Sequence, residues 1–122
     1  TGYVTNQNEL AELYHNAFAY FHGHEFGGTN PTMLKAMAYG SCILALDTRF
    51  NREMLQRDKF GLFFSKDADS IAALILDIEN SPEKALLMKE TSENGITAKY
   101  TWDHVANQYL EVFNRLRSQR KK

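Results

Sequence analysis

Cysteine is almost missing from this sequence. Among 122 residues only Cys42 carries a thiol, and it sits in the apolar run SCILAL. One buried thiol closes no disulfide within the chain and fits a reducing compartment, so the expected location is cytoplasmic. Long hydrophobic runs are missing too, since none approaches the roughly 20 residues of a membrane helix. No signal-peptide pattern opens the chain. It starts at TGYVTNQNEL without a methionine, and the expectation is a piece of a longer protein. There is no internal repeat and no low-complexity linker. What remains, at 43% hydrophobic and 24% charged residues, is the composition of one ordinary globular domain able to bury a core.

A broad basic surface is also lacking. The formal charge is −1, but all 15 acidic residues precede Arg115. Five of the 14 basic residues (Arg115, Arg117, Arg120, Lys121 and Lys122) crowd the last eight positions, leaving −6 on the body and +5 on the tail. An acidic body argues against general nucleic-acid binding, which needs a basic face. The tail has two readings. Its cations suit the C-terminal end of a helix dipole, or they attract an anionic membrane surface, such as the inner face of the plasma membrane.

Periodicity divides the chain in two. NQNELAELYHNA reads as a helix with Asn6 or Asn8 as its cap and Leu10, Leu13 and Tyr14 as its apolar stripe. AFAYFHG (17–23), CILALD (42–47) and GLFFS (61–65) read as short strands, the second a continuous apolar run suited to burial on both faces. Helices PTMLKAMAYG and FNREMLQRD lie between them. The first takes Asn30 as its cap, Pro31 in its first turn and Gly40 as its stop. Three helices follow. The first opens on Asp67 or Asp69, the second stops at Gly95, and the last carries Trp102, Val105, Tyr109, Val112, Phe113 and Leu116 at helical steps. Strands alternating with helices predict a parallel sheet and an α/β fold. Three strands are few beside the five or six of a doubly wound domain, so a partial domain lacking its N-terminal strands is expected.

The stretch HEFGGTNPTMLKAMAYG (24–40) carries the chemistry. It leads from a strand into a helix, at the carboxyl end where open α/β sheets bind ligands. A helix start offers unpaired N–H groups and partial positive charge. Glycines let a bulky anion approach that backbone, and Thr29 and Asn30 add side-chain donors. One reading is a cradle for a phosphate or diphosphate. The other is a tight turn in which glycine supplies φ > 0 and Asn30 merely caps.

The run GGTNPTMLKAMAYGSCILALDTRFNREML resembles the donor-binding segment of retaining glycosyltransferases of the GT-B fold, family 4 (glycosyltransferases group 1). That family commonly reads Glu-Gly-Phe-Gly, then Pro, then Leu-Glu-Ala-Met-Ala-x-Gly. A branch resembling bacterial rhamnosyltransferases carries Gly-Gly-Thr-Asn-Pro-Ser after His-Gly-His, and HGHEFGGTNPTML is similar to it. ELAELYHNAFAYF, NREML, FGLFF and YTWDHVANQYLEVF fit in order, so the likeness covers nearly the whole chain. It implies that residues 1–122 are a nucleotide-sugar donor-binding domain, part of a Rossmann-like parallel sheet with flanking helices and three helices at its C-terminus. Such a glycosyltransferase, of hexosyltransferase type, moves a sugar from a dTDP- or UDP-sugar to a glycan or lipid-linked acceptor in surface-polysaccharide synthesis. The partner of this domain is an N-terminal acceptor domain, and the 122 residues alone are expected to transfer no sugar. No covalently bound cofactor is implied.

Carried over by residue, Gly27, Gly28, Thr29 and Asn30 face the donor diphosphate and sugar. Thr32, Met33 and Leu34 lie along the nucleoside. The family's two glutamates, seven residues apart, fall on Gly27 and Lys35. Glu25 stands two positions before the first and partly substitutes for it. Glu25 and Glu53 are the candidate catalytic carboxylates. Lys35 is a donor of opposite charge and cannot accept ribose hydroxyls as a carboxylate does. It contacts a phosphate or stands in solvent. A deoxyribose nucleotide such as dTDP tolerates the loss.

Other residues have two readings each. His22 and His24 share a strand face, but no third metal ligand stands at a supporting spacing, so no metal is assigned. His22 or His24, the latter the candidate donor-binding residue, offers a hydrogen bond in the donor site, or both are ordinary polar packing at a strand end. Glu53 lies beside the donor sugar or is a helix-start acid favoured by the dipole. Asp47 lines the cleft or caps a turn, and Arg49 and Arg52 meet phosphate or solvent. Trp102 and the aromatics after it are expected in the core. Part of their stripe would be left for a partner surface, where a homodimer is one outcome. Two other functions stand beside glycosyl transfer. One is a non-catalytic nucleotide-binding or interaction module that lost its carboxylates, and the other is a GT-B nucleotide-sugar epimerase.

Overall fold

The computed structural model describes residues 2–119. Arg120, Lys121 and Lys122, the end of the basic tail, lie outside the described residues. The elements run α1 (Gln7–Asn16), β1 (Tyr20–His22), α2 (Pro31–Ala38), β2 (Ile43–Leu46), α3 (Arg49–Met54), β3 (Leu62–Phe64), α4 (Ala68–Asn80), α5 (Pro82–Lys99) and α6 (Trp102–Gln119). The strands pair in the order β1-β2-β3, all parallel, with Tyr20 opposite Ile43 and Leu44 opposite Leu62. This is the α/β arrangement that alternating strands and helices predict, a Rossmann-like parallel sheet with flanking helices.

The central strand explains the layers. Ile43, Leu44 and Ala45 have no exposed surface. Ile43 and Ala45 point into a core with Met33, Ala36, Met37, Met54, Leu55 and Phe60. Leu44 and Leu46 point into a second core with Cys42, Phe64, Ile78 and Ala85. Helix α5 begins on the second face at Ala85 and then runs beside α2, where the buried Ser92 hydroxyl donates to the Met37 carbonyl at 3.0 Å. The buried thiol of Cys42 has its pKa pushed up to about 11 by desolvation, and so stays protonated.

Caps fall where short polar residues offer them. Asn6 accepts from the Asn8 and Glu9 amides, and Asp67 from the Ser70 amide. Gly40, at φ +69°, ends α2 in the left-handed region. Three expectations are corrected. The first strand begins at Tyr20, not at 17, because the Ala17 amide still bonds to the Leu13 carbonyl and finishes α1. Gly95 does not stop a helix, since α5 continues through it to Lys99. The apolar stripe of α6 is not core. None of its residues is buried, and Trp102 is 89% exposed. The faces of β2 are already covered by α2, α4 and α5, which leaves α6 no face to pack on.

Gly95 has a packing reason. A Cβ there would lie 2.6 Å from Met37 Cε and 2.9 Å from a Phe60 ring carbon. Gly95→Ala gains about 1 kcal/mol of helix propensity but meets an overpacking cost of about 1–3 kcal/mol. The expected result is a net loss of about 1 kcal/mol in urea denaturation. Gly23→Ala, which meets nothing within 4 Å, changes stability by less than about 0.5 kcal/mol.

Candidate functional site

The carboxyl ends of the strands meet at one edge of the sheet. β1 leads through residues 23–30 into α2, and β2 leads through Asp47 and Thr48 into α3. Gly27 sits at φ +120°, a conformation reserved for glycine. A Cβ on Gly27 or Gly28 would meet nothing within 4 Å, so these glycines leave open space. The Asn30 side chain accepts from the Thr32 and Met33 amides at 2.9 and 3.2 Å. The Asn30 amide itself points at Met54 Sδ, 3.2 Å away. Among the described residues, the amides of Gly27, Gly28 and Thr29 find no acceptor. Asn30 is thus both cap and loop anchor, and the free donors stand just upstream of it. Such a loop attracts an anion.

One cavity adjoins the loop and another lies at the first turn of α2. A small one, about 210 Å³, lies between Gly28 and Thr29 on one side and Phe50, Glu53 and Met54 of α3 on the other, with Tyr100 closing it. Glu53 stands there with Lys99 at 3.2 Å. It lies near the end of α3, not in its first turn, so the helix-dipole reading of this residue is wrong. Glu25 is not in this cavity's wall and pairs with Lys66 at 2.5 Å. The second cavity, about 600 Å³, includes Tyr3, Tyr14, Pro31, Thr32 and Lys35. Lys35 is exposed, and among the described residues it has no carboxylate within ion-pair distance. Met33 is corrected here: helical phase turns it with Ala36 and Met37 into the core, where it has no exposed surface. Leu34 packs half-buried against that core, and only Thr32 of the three reaches the cavity. A larger cavity of about 750 Å³ runs along α1 and takes in none of these residues.

The two histidines differ. His24 is exposed, and its ring stacks on His22 with centroids 4.9 Å apart. His22 is 1% exposed, and neither ring nitrogen has a partner among the described residues. Burial, and secondarily the charge of His24, holds the His22 pKa below the ordinary histidine value. No group of three or more His, Cys, Asp or Glu side chains stands together among the described residues.

Asn51 is the residue that sequence reasoning missed. It is 4% exposed, and its Nδ2 donates to the His24 carbonyl at 3.1 Å and the Leu46 carbonyl at 2.8 Å. The only signal was its place after Thr48, whose hydroxyl accepts the Asn51 amide and caps α3. Asp47 therefore caps nothing. It takes a bidentate pair from Arg52, whose guanidinium hydrogen bonds hold the Asp47 carboxyl below the usual range. Arg52 is thereby engaged and also lies over the Phe63 ring.

The family model for glycosyl transferases group 1 matches residues 1–95. The chain belongs to this family. Sugar transfer is the family's general activity, and the match spans Glu25, the loop, Lys35 and Glu53 but stops before Lys99 and Tyr100. A comparison with curated proteins finds no match. No helix among the described residues is long and apolar enough to cross a membrane.

His22 gives the site a pH signature. A histidine with a depressed folded pKa stabilises the fold above its unfolded value of about 6.5, and this is lost as pH falls toward the folded pKa. Urea denaturation of wild type and His22→Leu between pH 7.5 and 5 should therefore show the wild type losing more stability on acidification. Parallel pH profiles would show that His22 does not titrate against burial.

Proposed function

We propose that residues 1–122 form the donor-binding domain of a GT-B glycosyltransferase of hexosyltransferase type, using a dTDP- or UDP-sugar. The observation that carries this is the Gly27–Thr29 run of free amides at the strand ends, with one cavity lined by Gly28 and Thr29 and another at the first turn of the helix that follows. The diphosphate lies across these amides, which stabilise charge on the leaving nucleoside diphosphate as the glycosidic bond breaks. The sugar enters the smaller cavity beside Glu53, and His24 and Glu25, on the same β1–α2 loop, are the further candidates to meet the donor. The nucleoside takes the larger one along Thr32 and Lys35, a volume of the size small-molecule sites use. Unpaired Lys35 offers no acceptor to a ribose, which favours the deoxyribose of dTDP.

The likeness of the HGHEFGGTNP run supports reading the enzyme as a member of the rhamnosyltransferase-like branch, working in cytoplasmic surface-polysaccharide synthesis on a glycan or lipid-linked acceptor. The acceptor domain covers the α6 stripe and the exposed Phe18 and Phe21 at the β1 edge. Without it the 122 residues transfer no sugar, and the same surfaces support a homodimer. The basic tail adds peripheral membrane contact. A second reading has one observation in its favour: both candidate carboxylates, Glu25 and Glu53, are already paired with lysines. In that case the chain is a non-catalytic nucleotide-binding module.

Amide chemical-shift mapping against UDP, dTDP and GDP tests the proposal. Shifts should cluster on residues 27–34, with dTDP binding most tightly. No shift at millimolar nucleotide would sink the donor reading. Glu53→Gln separates the two readings. If Glu53 meets the sugar, the variant weakens dTDP-glucose binding and leaves dTDP binding unchanged; equal affinities favour the non-catalytic module.

A further inference from the structure

The loop at 23–30 has no regular structure and two adjacent glycines, yet its amides serve a ligand only if they are held in place. Its far end is fixed, because Asn30 caps α2 and its own amide bonds to Met54. Its near end is held by Asn51, which takes the His24 carbonyl. The two hydrogens of one amide nitrogen suffice for two carbonyls. The second goes to Leu46, the last residue of β2. One buried carboxamide thus fastens the start of the β1–α2 loop to the end of the neighbouring strand. Asn51 and Met54 stand three residues apart, on one face of α3. The loop is therefore referenced to α3 at both ends.

We propose that Asn51 is the positioning residue of this loop: without touching the ligand, it sets where the Gly27–Thr29 amides stand and so sets nucleotide affinity. The ligand in this statement rests on the donor reading, while the clamp rests on the hydrogen bonds alone. Asn51→Asp tests it, since the volume is kept but an oxygen replaces the nitrogen that served two carbonyls. Ile78→Ala, in the other core, is the comparison for general loss of stability.

Two quantities are read: backbone order parameters of residues 23–30 in the free protein, and dTDP affinity. In Asn51→Asp the loop values should fall from about 0.85 to below about 0.6. Affinity should weaken by about tenfold or more, the scale for residues that orient a ligand's contacts. Ile78→Ala should do neither. If Asn51→Asp does not fold, Asn51→Ser, whose hydroxyl is too short to span both carbonyls, is read in the same way. An ordered loop with unchanged affinity in the folded variant would overturn the proposal. If the wild type binds neither dTDP nor UDP, the donor reading falls. The order parameters then decide the clamp alone, a loosened loop supporting it and an ordered one overturning it.

Discussion

Everything in this domain depends on covering both faces of β2. Burying four consecutive apolar side chains is favourable only if helices close over both sides, because each face exposes two of them. That requirement places α2 and α3 on one face and α4 with the start of α5 on the other. The helical crossovers between successive strands return the chain to the same end of the sheet, so the strands run parallel. The functional edge follows from this. All three strands finish at one side, so their following loops converge there, and the loop at 23–30 is rigid only to the extent that its neighbours hold it.

Much of this was legible in the sequence because it rests on local rules. CILAL announces a two-faced strand by the absence of any polar alternation, and Asn30-Pro31 announces a helix start by one side-chain acceptor and one missing donor. Element order and sheet type follow by counting. The errors came where a local rule met a tertiary contact. Gly95 has the residue type of a helix stop, but Met37 and Phe60 need the space a side chain would fill. Trp102 and its stripe have the spacing of a core helix, but spacing says only that one face is apolar and not what covers it.

The site was less legible for a related reason. The loop and its glycines could be read because they are contiguous. The groups that organise them are not. Asn51 lies 27 positions after His24, and Lys99 lies 46 after Glu53. A buried asparagine has no pattern in the chain that separates it from an exposed one, and its role appears only when its one nitrogen is seen to serve two carbonyls from different strands' ends. Lys99 and Tyr100 fall beyond the segment matched by the family model, and although Tyr100 opens the YTWDHVANQYLEVF run, the resemblance gives neither residue a place in the site. The resemblance sets Thr32, Met33 and Leu34 together along the nucleoside, but helical phase turns Met33 inward.

Electrostatics connects these details. The body carries excess negative charge, which by itself repels a diphosphate. At the strand ends that excess is balanced locally. Lys66 answers Glu25, Arg52 answers Asp47 and Lys99 answers Glu53, each from a different part of the chain. Exposed pairs of this kind contribute little to stability. Their effect here is on the field: three carboxylates near the site are neutralised by contact, while Lys35 and the loop amides keep their positive ends free. An acidic domain thereby presents an anion-attracting edge without a basic face. Lys35, which the resemblance sets where a carboxylate is expected on α2, adds to this field a positive charge unpaired among the described residues.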